Sequence, residues 1–108
     1  MTDKIIVLTN TGSQEEASKI ARALVERKLA ACVNIIPGVE STYWWKGNIE
    51  TAPEWTLLIK TVRRNFEAVR NTIRELHSYE LPECIAISVD DGSPDYLKWI
   101  GDSVEPRG

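Results

Sequence analysis

Apolar positions along this chain switch between the short rhythm of strands and the three-and-four rhythm of helices. Ile5 to Leu8 is a continuous apolar run ending at Asn10-Thr11-Gly12, which predicts a buried strand and a turn. Ala17, Ile20, Ala21, Leu24 and Val25 then recur on one helical face. Ser13, with Glu16 at capping-box spacing, opens that helix, and it ends near Lys28. Ala31 to Ile36 reads as a second strand that bends or bulges at Pro37-Gly38 and resumes through Trp45. Lys46-Gly47-Asn48 turns the chain, and a return strand runs through Trp55 to Thr61, interrupted near Pro53. Phe66, Val69, Ile73 and Leu76 mark a second helix with Asn65 as its N-cap. Residues 78–83, with Pro82, lead to a fourth strand, Cys84 to Val89. After Asp91-Gly92, a last helix starts with Ser93 as cap and Pro94 at its first position, and Tyr96, Leu97 and Ile100 pack back.

The order is β-α-β, β-α-β, then α. Two such units with right-handed crossovers predict an α+β fold: a ferredoxin-like βαββαβ sandwich with an extra C-terminal helix, an antiparallel sheet and both main helices on one face. At 108 residues the chain makes a single domain, 1–108. The sheet face away from the helices is the expected surface for assembly. The segment from Ser41 to Thr61 adds to that expectation because it carries three of the four tryptophans. Tyr43, Trp44 and Trp45 are consecutive, and alternation along a strand sends at least one ring off the core face. Burying each such side chain is worth about 1.5–3 kcal/mol, which favours an oligomer built on this hairpin over a monomer whose core the rings cap.

A net charge of −3 gives no general attraction to nucleic acid or to an anionic membrane. The N-terminal residues lack a signal-peptide pattern, and no apolar run reaches membrane-spanning length. Cys32 and Cys84 are the only cysteines and form no short-spacing pair, so a cytoplasmic protein with reduced thiols is expected, with a disulfide between them left open.

The stretch ARALVERKLAACVNIIPGVESTYWWKGNIE, the IKT at Ile59-Lys60-Thr61, HSYELPE from His77 to Glu83, and YLKWI from Tyr96 to Ile100 together resemble the CutA family of divalent-cation tolerance proteins. The resemblance covers nearly the whole chain. It implies a tight homotrimer of ferredoxin-like subunits, similar to the nitrogen-regulatory PII proteins, joined through the Ser41 to Thr61 hairpin and the sheet face. It further implies a role in tolerance of copper and other divalent metals in bacteria, and in animals a link to acetylcholinesterase anchoring. It carries no proven catalytic activity, and no enzyme is expected. One departure is Ser78, where the family usually has proline; the loop is expected to be looser for it. Cys84 replaces a common aliphatic residue and reads as a small buried side chain.

Candidate ligands follow from this resemblance and from donor chemistry. Cys32, His77 and Glu80 are the metal candidates, since thiolate, imidazole and carboxylate suit copper or another divalent cation, although their spacing forms no metal motif. Lys60, Tyr79 and Glu50 are candidates for holding a small ligand in a cleft between subunits. The plainer alternatives are that Cys32 is strand core, that His77 caps helix carbonyls, and that Lys60 pairs with Glu50 or Glu80. Arg63-Arg64 and Glu15-Glu16 read as solvated helix faces.

Other functions that this fold order supports lack their residues here. A copper chaperone needs two close cysteines after the first strand, and a small hydrolase such as an acylphosphatase needs a cationic glycine-rich loop; the first loop, Asn10-Thr11-Gly12-Ser13, has neither. RNA-recognition domains stack bases on sheet aromatics, whereas Ile5 to Asn10 and Thr56 to Lys60 carry none.

Overall fold

The computed structural model describes residues 2–106. Its elements are β1 (Lys4–Thr11), α1 (Gln14–Glu26), β2 (Cys32–Trp45), β3 (Asn48–Val62), a 3-10 turn (Arg63–Asn65), α2 (Phe66–Leu76), β4 (Ile85–Ser88) and α3 (Pro94–Ser103). The four strands pair antiparallel in the order β2-β3-β1-β4, the ferredoxin-like arrangement that the sequence predicts.

Alternation along β1 and β3 divides the sheet into two faces. Ile5 and Val7 of β1 and Leu57 and Ile59 of β3 are buried against Ile20 and Leu24 of α1 and Val69 and Ile73 of α2. A smaller cluster, Val62 with Ile100 and Val104, seats α3. The intervening residues form the open face: Ile6 lies between Lys60 and Ile87, and Leu8 between Leu58 and Ile85. Ile85 and Ile87 stay 51% and 49% exposed there.

The β2–β3 hairpin projects from this body as an arm. The Cα radius of gyration is accordingly 14.5 Å, against about 13 Å for a compact chain of this length. Lys46 and Gly47, both at positive φ, make the two-residue turn, which matches the twist of the flanking strands. The predicted bulge is present between Ile36 and Val39, with Gly38 at φ 75°. Trp44, near the tip, is 71% exposed.

Several local expectations are corrected. β3 is not interrupted at Pro53, which pairs with Glu40; β1 reaches β3 only from Trp55 onward, so the missing proline N–H faces no neighbouring strand. α1 stops at Glu26 because Lys28 turns left-handed, with Lys28 N–H donating to Val25 O and Leu29 N–H to Leu24 O, a backbone closure independent of lysine charge. Asn65 takes the N-cap position of α2 as expected but makes no side-chain cap bond. It sits in the 3-10 turn and its amide donates to Leu29 O and Thr61 Oγ1. Ser93 makes no side-chain cap bond either, leaving Pro94 to start α3. The fourth strand is shorter than expected, and Cys84 lies just before it, packed against the core.

Candidate functional site

A cleft of about 650 Å³ lies between the hairpin arm and the 79–83 connection. Tyr43, Trp44 and Trp45 form its arm side, Asn10 and Glu54 come from β1 and β3, and Tyr79, Glu80 and Glu83 close it. The bulge and register place Val39, Tyr43 and Glu54 on one face of the hairpin, so the arm turns a ring and a carboxylate toward the same space.

Glu54 is only 7% exposed. Its Oε2 accepts a 2.8 Å bond from the Tyr79 hydroxyl. Burial first, then this bond and the charge of Glu54, push the Tyr79 phenol well above its ordinary range, so it remains a proton donor. Gly12 lets the ring in: a Cβ there would stand 3.0 Å from the Tyr79 hydroxyl oxygen. Beside this pair, Thr56 Oγ1 donates to Asn10 Oδ1 at 2.6 Å, which orients the amide to donate to Glu83 Oε1 at 3.0 Å. Glu83 is exposed as a residue, but desolvation of its carboxyl raises its pKa, the Glu54 charge adds to this, and the Asn10 bond opposes it.

His77 organises the connection from behind. Its side chain is 0% exposed, and Nε2, which must carry a proton, donates to Asn10 O at 2.6 Å. Nδ1 lies 3.1 Å from both the Tyr79 amide and Glu16 Oε1: it accepts from the amide when the ring is neutral and donates to the carboxylate when protonated. His77 therefore ties the loop to β1 and does not cap the carbonyls of its own helix. Glu16 also accepts from Ser78 N–H and Ser78 Oγ, each at 2.8 Å. Ser78 thus anchors this loop with two bonds, one from a backbone N–H that proline lacks. Glu16, read from sequence as a solvated helix residue, is part of this support.

One subunit does not bring the six candidate residues together. Tyr79 and Glu80 line the cleft, with Glu80 3.9 Å from Lys46 Nζ at the hairpin turn. Cys32 lies opposite Lys60 in register, four positions along the sheet from the Asn10 to which His77 is tied. That separation is about 13 Å of strand. Cys32 makes only a long contact, 3.9 Å, with Asn34 Oδ1, and both cysteines are free. Lys60 bonds the Tyr96 hydroxyl at 3.4 Å and lies over its ring, pairing with neither Glu50 nor Glu80. Glu50 is in register with Tyr43 near the arm tip, ten residues from Lys60 on one strand; about 33 Å of strand separates them. Among the described residues, no three His, Cys, Asp or Glu side chains cluster as a metal cage. Sequence reasoning missed Glu54, Glu83 and Asn10. The one local signal was Glu54 beside Pro53 in a strand, a carboxylate where apolar residues were expected.

Fold and cleft together define a ferredoxin-like α+β protein with a carboxylate-rich, aromatic-walled cleft at the root of a hairpin arm. The chain belongs to the CutA1 divalent ion tolerance protein family, whose model matches residues 5–103. A Xenopus laevis protein named as a CutA homolog is 50% identical over 88 residues, covering 82% of this chain and 58% of its own length, so this chain spans little more than half of that relative. The Archaeoglobus fulgidus divalent-cation tolerance protein CutA is 45% identical over 93 residues, 86% of this chain and 90% of that one. Its solved structure, described as a periplasmic protein, superposes with a TM-score of 0.92 over 94% of this chain and 99% of that one, at 41% identity. CutA from Xylella fastidiosa superposes with a TM-score of 0.94 at 41% identity, over 96% of this chain and 100% of that one.

Proposed function

We propose that this chain is a cytoplasmic, non-enzymatic divalent-cation tolerance protein that acts as a homotrimer and binds a divalent metal, copper foremost, at clefts between subunits. The observation that carries assembly is the open sheet face, where Ile85 and Ile87 stay half exposed beside Ile6 and Leu8, with Trp44 bare on the arm. Since one subunit leaves Cys32, His77 and Glu80 apart, a metal site built from them needs donors from more than one subunit. His77 is committed to Asn10 and Glu16, so Cys32 and Glu80 are the stronger ligand candidates and His77 positions the loop. The two free cysteines support a reducing compartment. Among the described residues no helix is long and apolar enough to cross a membrane.

Native mass spectrometry before and after limiting Cu(II) tests both halves. A trimer that takes up a saturable three equivalents, with uptake lost in Cys32→Ala, is expected. A monomer would overturn the assembly, and graded, unsaturating uptake would overturn the metal site. A second reading, in the manner of PII proteins, is that the cleft holds a small organic ligand near Tyr79, with metal binding incidental and with Glu50 and Lys60 contributing only if a neighbouring subunit brings them to it. The volume and aromatic walls of the cleft favour it.

A further inference from the structure

We infer that the ligand of this cleft is a small organic cation, a primary ammonium or guanidinium compound, held by Glu54 and Glu83 against the aromatic wall of the arm. The inference rests on the second reading above and gives it a chemistry. Glu54 is the decisive residue: it is more than nine-tenths buried and lines the cleft, its Oε2 takes the Tyr79 hydroxyl, and among the described residues no donor reaches Oε1. Among the described residues no cation pairs with Glu54 or Glu83, and Lys46 at the hairpin turn stands by Glu80 instead. Glu54 Oε1 is open to the cleft, where a largely buried carboxylate is stabilised by a bound cation.

Outside the cleft, at the hairpin turn, Lys46 pairs with residue types that also line it. Its ammonium stands 5.6 Å over the Trp45 ring and 3.9 Å from the Glu80 carboxylate, a ring on one side and an anion on the other. Tyr43 and Tyr79 with Glu54 and Glu83 repeat that pairing of residue types within the cleft, without the lysine. A bare metal ion fits less well, because its first shell requires several donors within one small sphere and no such cluster forms among the described residues. A volume of about 650 Å³ has room for an aliphatic chain as well as its charged end.

The test titrates the intact assembled protein with cadaverine and, separately, with its neutral isostere 1,5-pentanediol, following the fluorescence of the cleft tryptophans. Saturable binding of cadaverine with no response to the diol is expected, weakened about tenfold in Glu54→Gln, as loss of one charge-assisted hydrogen bond predicts. Glu83→Gln carries the same expectation and serves if Glu54→Gln does not fold, and Glu26→Gln on the far side of α1 is the unchanged control. Equal response to the diol, unaltered affinity in the folded variants, or a flat titration, as when a neighbouring subunit's lysine or arginine already fills the cleft, overturns the inference. A parallel Cu(II) titration separates the two readings: copper uptake with no cadaverine binding leaves the metal reading standing and removes this one, and the opposite result does the reverse.

Discussion

The two faces of the sheet are built from alternate residues of the same strands, and both are rich in branched aliphatics, yet only one is finished within the chain. Ile5, Val7, Leu57 and Ile59 lie under α1 and α2 with essentially no exposed surface. Ile6, Leu8, Leu58, Ile85 and Ile87, one residue out of phase, have no layer over them in the subunit. A βαββαβ chain places both main crossover helices on one side, and α3 covers only the Lys4–Val62 end of the other, so the rest of the second face is open in the subunit. The open face also changes character along its length: beyond Leu8 it ends at Asn10, bonded to Thr56 and Glu83, and there the aliphatic surface gives way to the polar rim of the cleft. One face is thus a core, and the other joins an open aliphatic surface to a polar cleft.

Exchanging charge or volume between the faces should separate them. The largest effect is expected from Ile87→Lys, which places an ammonium in the middle of the open face; analytical ultracentrifugation should show the assembly lost while circular dichroism of the subunit is retained. If the assembly persists, the open face is not its interface. On the covered face, Leu57→Ala should cost about 2–5 kcal/mol in urea unfolding, since it leaves a cavity beneath both helices. A loss below the lower figure would mean that the helix layer is looser than its burial implies. Thr9 on that face is wholly buried with a hydroxyl that, unlike those of Thr11 and Thr61, finds no partner among the described residues. Thr9→Val should therefore raise stability by about 1 kcal/mol, and a loss on the same denaturation curve would reveal an unseen partner for the hydroxyl. The smallest effect concerns the polar end of the open face. Because the folded pKa of Glu83 is raised above its ordinary value of 4.5, its contribution to stability is present below that value and is lost as pH rises through the raised pKa. Glu83→Gln should gain on the parent protein over that rise and match it in acid. A pH-independent difference in thermal midpoint would count against the desolvated carboxyl.

Much of the fold was legible because its signals act over a few residues. Ser13 accepts from the Glu16 N–H as the cap spacing predicts, Pro94 starts α3, Lys46-Gly47 turns the hairpin, and Pro37-Gly38 bulges β2. The alternation of β1 and the spacing of Ala17, Ile20 and Leu24 named most of the core. The family resemblance led to Tyr79 and Glu80 and to the HSYELPE segment as cleft material. It did not lead to Glu54, which carries no motif, or to the support that Glu16 gives Ser78.

By itself, then, the sequence determined the elements, their order, the buried stripe of each and the family, since these follow from local backbone preference and from the period of apolar residues. Only the tertiary structure decided which polar groups meet. Glu16 reaches Ser78 across 62 positions, His77 reaches Asn10 across 67, and Asn10 reaches Glu83 across 73. Such contacts depend on strand register and on how a loop closes, and a carboxylate in a solvated helix looks the same along the chain as one that holds a distant amide.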